Sequence, residues 1–231
     1  MDIGEIVSDS IKYPSSNWGK VLILGVIMIA SILIVPIFLV YGYVFRIIKA
    51  TLAGVEELPD FDEIGDMFVD GLKIFVVAIV YAIPVYIIAL ILNLIIGASM
   101  TVTSTTTSLD PTMFWGLIVG NIVFIIVALI IGLIEVIAIA NMAYNDGELG
   151  AAFRFSDIMN IIATIGWGKY IATYIVIAII GAIGFFIGML TMFILIGFLL
   201  LPLVIAPYIA MFGSRAIGLL VASSIEAEPM E

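Results

Sequence analysis

Long uninterrupted apolar runs, separated by short polar segments, set the pattern of this chain. The runs Ile74–Ala98 and Phe114–Ala143 each carry enough apolar residues for one bilayer crossing of about 20 residues. Apolar positions are continuous rather than alternating, and backbone groups in hydrocarbon must be hydrogen-bonded internally, so the spans are predicted to be helices. No charged residue lies between Lys169 and Arg215. That stretch is too long for one span and is predicted to hold two, turning near Gly188–Thr191.

The first apolar run, Val21–Phe45, has two readings. It is either one long tilted span or a hairpin broken at Val35-Pro36, since proline suits the first turn of a new helix. The hairpin arms, Lys20–Val35 and Pro36–Thr51, would each be roughly 24 Å long at 1.5 Å per residue. That is short of a hydrocarbon core of about 30 Å and calls for snorkelling or local thinning. The basic residues favour the hairpin. With six spans, Lys12, Lys20, Arg46, Lys49, Lys73, Arg154, Lys169 and Arg215 all fall on one side, together with both termini, and the positive-inside rule makes that side cytoplasmic. The opposite loop, Ser99–Met113, contains no Lys or Arg. With five spans, Lys12 and Lys20 change sides.

Three places read as an amphipathic segment, then Trp or Gly, then Lys, then a span. They are Ile3–Ile11 before Asn17-Trp18-Gly19-Lys20, Phe61–Phe68 before Asp70-Gly71-Leu72-Lys73, and Phe155–Ile162 before Gly166-Trp167-Gly168-Lys169. A threefold internal repeat of interfacial helix and helical hairpin would cover about 1–57, 58–150 and 151–231 of one membrane domain. The competing explanation is that any cytoplasmic start of a span collects Trp, Gly and Lys. The predicted architecture is all-α: a polytopic transmembrane helix bundle of about six spans in three parallel units, with five spans as the alternative.

Composition sharpens the picture and excludes several classes. The 231 residues are 64% hydrophobic and 11% charged, with a mean hydropathy of +1.34, against roughly 45–50% apolar and about 25% charged in soluble domains. A net charge of −10 makes the protein a poor nucleic-acid ligand, because phosphate contacts need clustered Lys and Arg. Cysteine and histidine are absent, which removes disulfides, Cys/His zinc sites and the commonest general base. The start, Met1-Asp2-Ile3-Gly4-Glu5, lacks a basic n-region, and no cleaved signal is expected.

The run Gly42-Tyr43-Val44-Phe45-Arg46, then Gly54, Leu58-Pro59-Asp60-Phe61-Asp62 and Phe68-Val69-Asp70-Gly71-Leu72-Lys73, resembles the signature of the domain-of-unknown-function 4013 family of archaeal and bacterial membrane proteins. The resemblance extends over most of the chain. It implies a multi-pass membrane fold and an archaeal source, and brings no established activity.

Two sets of residues are candidates for function. In the acidic stretch Glu56–Asp70, Phe61, Ile64, Phe68 and Leu72 recur at helical spacing, while Asp62, Asp66 and Asp70 recur at i+4 on another face. Repulsion among these aspartates calls for Arg46, Lys49 or Arg154, or for a bridging divalent cation; a plain solvated face is the simpler reading. Glu135 is the acidic residue inside a span, and such residues usually face the bundle interior. Ala128, Gly132 and Ala138 share its face, Asn141 follows toward the cytoplasm, and Asn93, Asn121 or a tyrosine are potential partners. Glu135 either carries a proton or cation or stays neutral as a structural hydrogen-bonder. Gly181, Gly184 and Gly188 form one small-residue face suited to close helix contact, and Pro84, Pro202 and Pro207 predict kinks.

Enzyme motifs match poorly. Asn145-Asp146-Gly147-Glu148 is similar to the start of an aspartate-rich prenyltransferase motif but lacks its regularly spaced aspartates. Asp70-Gly71 lacks the partner residues of CDP-alcohol phosphotransferases. There is no phosphate-binding glycine loop, and no cofactor or metal site is expected. Thr101–Ser108 form a polar outer loop with no base nearby in sequence. The expected function is a non-catalytic membrane component that contacts lipids or a partner protein at its cytoplasmic face; the alternative is a small-molecule or ion transporter using Glu135.

Overall fold

A computed structural model describes residues 1–102, 111–194 and 197–225. Of the described residues 89% are helical and none forms a strand, and the protein is an all-α polytopic membrane bundle. Five helices are long and apolar enough to cross a membrane, and a bent pair at the N-terminus raises the number to six. Most exposed side chains of these helices are apolar or aromatic, among them Tyr86, Leu94, Trp115 and Phe186. A surface of this kind is at home in lipid rather than water.

The elements follow from local chemistry. Helix α1 (Ile3–Ser15) starts at a capping box in which the Asp2 carboxylate accepts from the helix N-terminus and Glu5 accepts from the Asp2 N–H. It meets α2 (Trp18–Ala30) at a bend of 80°. The first apolar run then divides: a 3-10 turn at Ser31–Leu33 and a left-handed Ile34 (φ 68°) precede α3 (Val35–Leu52). The left-handed Ile34 ends the first helical stretch and Pro36 sits in the first turn of α3, where it needs no N–H, so the apolar run is broken within a few residues of the predicted Val35-Pro36. The first arm, counting its 3-10 turn, is about 26 Å long and α3 about 27 Å, so this remains a short hairpin.

Helices α4 (Ile64–Val102) and α5 (Pro111–Tyr144) contain the two predicted spans. Helix α6 (Phe155–Ile165) is amphipathic and buries Ile158, Ile162 and Ile165. A left-handed Gly166 (φ 85°) separates it from α7 (Trp167–Thr191). The turn predicted near Gly188–Thr191 comes slightly later, between Thr191 and Gly197. There Gly197 lies so close to the Thr191 backbone that a Cβ would be 2.1 Å from its carbonyl carbon. The last span consists of α8 (Gly197–Leu200), a π-helical turn at Leu201–Ile205 and α9 (Ala206–Ile225). Thus α1–α2 and α6–α7 share the order amphipathic helix, then a span starting at Trp. The expected middle counterpart, Phe61–Phe68, forms no separate helix, because Ile64 begins α4 directly.

Two compact units result, Met1–Phe75 with Ile137–Glu231 and, separately, Val76–Val136. In the first, glycines let backbones touch. A Cβ on Gly42 of α3 would lie 1.8 Å from the Met67 carbonyl oxygen of α4, and one on Gly71 of α4 would lie 1.8 Å from the Phe38 carbonyl oxygen of α3. The two contacts are reciprocal and each pair is one turn apart, so α3 and α4 cross antiparallel with their backbones nearly in contact. Gly25 of α2 meets the Leu203 carbonyl in the same way. Pro207 removes the N–H that would serve that carbonyl in a regular α-helix. Gly181 and Gly184 of α7 receive Ile209, and Gly188 receives Leu201 and Ile205, so the predicted small-residue face is a packing groove. The buried cluster of this unit includes Tyr13, Val21, Leu24, Tyr43, Ile47, Leu58, Met67 and Met211.

Within the second unit, Gly120 of α5 lies against Leu92 of α4. Gly132, on the face of Glu135, has open space where a side chain would be.

Candidate functional site

The acidic stretch is where the structure departs most from the predicted pattern. Residues 53–63 are not helical, and Glu63 takes a left-handed backbone (φ 44°) just before α4. Asp62 therefore lies outside the helix and shares no helical face with Asp66 and Asp70. The predicted apolar stripe is also displaced. Ile64 and Leu72 are exposed, whereas Met67, Gly71, Ile74 and Val77 form the buried face. The glycine crossing against α3 fixes this rotation, since only Gly71 permits such close backbone approach.

Residues 53–63 are held through their main chain. Val55 is bound by Arg215, Glu57 by the Tyr13 hydroxyl, Leu58 by Lys20, Pro59 by the Tyr43 hydroxyl, and Asp60, Asp62 and Glu63 by Arg46, each through its carbonyl oxygen at 2.6–3.4 Å. Phe61 stacks flat on Tyr43 with ring centroids 4.1 Å apart. Burial pushes the Tyr13 phenol up to about 12 against the opposing effect of Arg215, so it stays a proton donor. Donors from α1, α2, α3 and α9 thus fix the path of the loop, and hydrogen bonds from charged donors are the stronger kind.

With the backbone held inward, the acidic side chains project outward. Lys20 pairs with Asp60 at 2.7 Å, and Arg46 with Asp62 at 3.1 Å and Glu63 at 3.9 Å, yet those carboxylates remain 70–76% exposed. Of the expected partners, Arg46 does reach Asp62. Asp70 instead pairs with Lys73 on its own helix, and Arg154 with Glu148. Asp66 is exposed. Among the described residues no group of three or more acids is placed to share a metal ion.

A shallow groove of about 650 Å³ runs beside this loop along α1. Glu5, Asp9, Lys12, Tyr13, Glu56 and Arg215 are among its lining residues. Arg215 is buried; its Nε donates to Asp9 at 2.8 Å, and its guanidinium lies 4.6 Å above the Tyr13 ring. Asp9 neutralises it, and Glu5, Glu56, Lys12 and Met1 also line the groove.

Each intramembrane asparagine donates to a backbone carbonyl. Asn93 donates to the Ala89 carbonyl and Asn121 to the Leu117 carbonyl, each on its own helix, with both side chains exposed. Glu135 is half-buried. Asn141 belongs to the other unit, where it is buried and donates to the Ala151 carbonyl at 2.9 Å. Its role there is to anchor the turn after α5. Asn141→Ala is expected to cost about 1 kcal/mol, because it removes the bonds to the Ala151 carbonyl and from Asn145 while the Arg154 N–H still serves that carbonyl at 3.3 Å; steric-trap unfolding in bicelles checks this. The residue's neighbourhood was not foreseen from sequence: a pocket of about 250 Å³ in which Asn141 joins Tyr144, Asn145, Asp157, Asn160, Thr164 and Ser224.

No curated protein and no solved structure matches the chain. The family described as "Protein of unknown function (DUF4013)" matches residues 24–193, well over half of the sequence, and the protein belongs to that family.

Proposed function

We propose that this integral membrane protein is a non-catalytic component of the cell membrane that docks a basic segment of a partner protein on its cytoplasmic face. One observation carries the reading: the backbone of residues 53–63 is held by side chains from four helices, while Glu56, Glu57, Asp60, Asp62 and Glu63 face outward beside the groove along α1. An array of charges fixed in advance binds with less ordering entropy than a mobile acidic tail. The basic residues of this face are largely engaged internally, which leaves negative charge to be read by the partner.

The test uses the full chain in phosphatidylcholine nanodiscs and a lysine-rich helical peptide. Glu56→Lys combined with Glu57→Lys is expected to weaken binding about tenfold at physiological salt, with a steep salt dependence for the parent protein. Charge reversal at Glu148, already paired with Arg154, is expected to leave binding unchanged. Equal weakening by both would reject the loop as the docking surface.

This placement requires both termini in the cytoplasm. The chain contains no cysteine, so single cysteines at Asp2 and at Glu231 report sidedness cleanly. Both are expected to resist an impermeant maleimide added outside sealed right-side-out vesicles. Labelling of one alone would overturn the six-span arrangement. The alternative, a small-molecule or ion transporter, rests on Glu135. It has less support because Asn93, Asn121 and Asn141 each donate to backbone carbonyls elsewhere. Glu135→Gln is expected to leave folding intact; loss of a proton-coupled flux in that variant would restore the transport reading.

A further inference from the structure

The pocket between the end of α5, α6 and the end of α9 has a chemistry unlike the acidic face. Its lining includes three carboxamides (Asn141, Asn145, Asn160), two hydroxyls (Thr164, Ser224), the Tyr144 phenol and one carboxylate, Asp157. Part of this polarity is structural. Asn145 donates to the Asn141 carbonyl and side-chain oxygens, Asn141 donates to Ala151, and the hydroxyls of Thr164 and Ser224 donate to carbonyls of their own helices.

Asp157 and Asn160 are different. They stand three residues apart on α6, so they share a face, and among the described residues neither side chain has a hydrogen-bond partner. No uncommitted cation faces them. Arg154 is bound to Glu148 at 2.6 Å and contacts Asn145, and Lys169 donates to Ser223. The pocket thus offers alternating donors and acceptors with little net charge, beside the half-exposed ring of Tyr144.

That combination suits vicinal hydroxyls. Carboxamides and a carboxylate can each engage an O–H as donor or acceptor, and an aromatic face can cover the apolar C–H side of a sugar ring. An anionic group would meet Asp157 with no free cation. A volume of about 250 Å³ is of the order of one sugar unit. The pocket also lies at the ends of two spans and beside an amphipathic helix, where lipid headgroups are found. We propose that it binds a neutral polyhydroxylated group: the sugar headgroup of a glycolipid, or a free sugar of the same kind.

Native mass spectrometry and calorimetry on the full chain in phosphatidylcholine nanodiscs test this. The probes are monoglucosyl diacylglycerol, soluble methyl glucoside, phosphatidic acid and a cationic alkylammonium lipid. The glucosyl lipid is expected to bind saturably and to lose about tenfold in affinity in Asn160→Leu and in Asp157→Leu, the equivalent of one or two hydrogen bonds. Both positions are exposed, so the fold should survive, and circular dichroism with an unchanged melting profile verifies it. Binding of methyl glucoside as well identifies the sugar as sufficient; binding of the lipid alone identifies a headgroup read in its membrane setting. Either outcome supports the proposal. Failure of both sugar probes to bind, stronger binding of the anionic or cationic lipid, or parental affinity in both folded variants overturns it.

Discussion

Gly42→Ala and Gly71→Ala are each expected to destabilise the protein by about 3 kcal/mol or more, the largest effects of any single methyl added to this chain. The added carbon would sit 1.8 Å from a backbone carbonyl oxygen of the facing helix. A flexible side-chain tip could rotate away from such a clash, but a carbonyl held in a helix cannot. Relief requires α3 and α4 to separate along the crossing, which also breaks up the buried neighbours Tyr43, Ile47 and Met67. Loss of the paired Cα–H contacts adds roughly 0.5–1 kcal/mol apiece. Lipid gives helices no hydrophobic reason to associate, so close backbone contact is what holds such a pair together. Gly132→Ala is the matched control. Open space surrounds it, and the variant is expected to be neutral or to gain about 0.5 kcal/mol in helix propensity. Steric-trap unfolding of the three variants side by side checks the contrast; equal stability of Gly42→Ala and Gly132→Ala would show that the α3–α4 contact is looser than described.

The same crossing explains what the sequence could and could not reveal. Continuous apolar runs are a local signal, and the spans, the break near Pro36 and the packing groove at Gly181, Gly184 and Gly188 were legible from them. Helix rotation is not local. Phe61, Ile64, Phe68 and Leu72 have helical spacing, but the face that is buried belongs to Gly71, because the partner backbone accepts only glycine there. A left-handed Glu63 likewise cannot be read from spacing, and it removes Asp62 from the helix that its i+4 pattern implied. The candidate site depended still more on distance in sequence. Arg215 meets Asp9 across 206 residues, and the loop carbonyls are bound by donors up to 160 residues away. Those donors are ordinary span-end tyrosines and cations when read singly. Asn141 was singled out for its place below Glu135, yet its contacts are with the turn at Ala151 and the pocket around Asn160, which no periodicity joins to it.

The Arg215–Asp9 pair yields the second large effect, and its sign depends on which charge is buried. The Arg215 side chain is 5% exposed and that of Asp9 is 42% exposed. Asp9→Ala leaves a buried guanidinium without its anion, and the expected cost is about 3 kcal/mol, the lower end for a broken buried pair because the Val55 carbonyl, Thr51 and the Tyr13 ring still hold it. Arg215→Met leaves only a carboxylate that water can reach, and puts an apolar side chain of similar length in the buried space. Its expected cost is smaller, about 1–2 kcal/mol, mainly from the lost Val55 bond and the cation–π contact. Combining the two should therefore cost no more than Arg215→Met alone, because the penalty of Asp9→Ala arises from a charge that the double variant no longer contains. A double-mutant cycle by steric-trap unfolding measures this coupling, and strictly additive costs would mean that the two side chains act independently. Limited proteolysis gives a second reading: Arg215→Met should expose residues 53–56 to cleavage, as Val55 is the point where α9 grips the acidic loop, whereas Tyr13, Lys20, Tyr43 and Arg46 continue to hold residues 57–63.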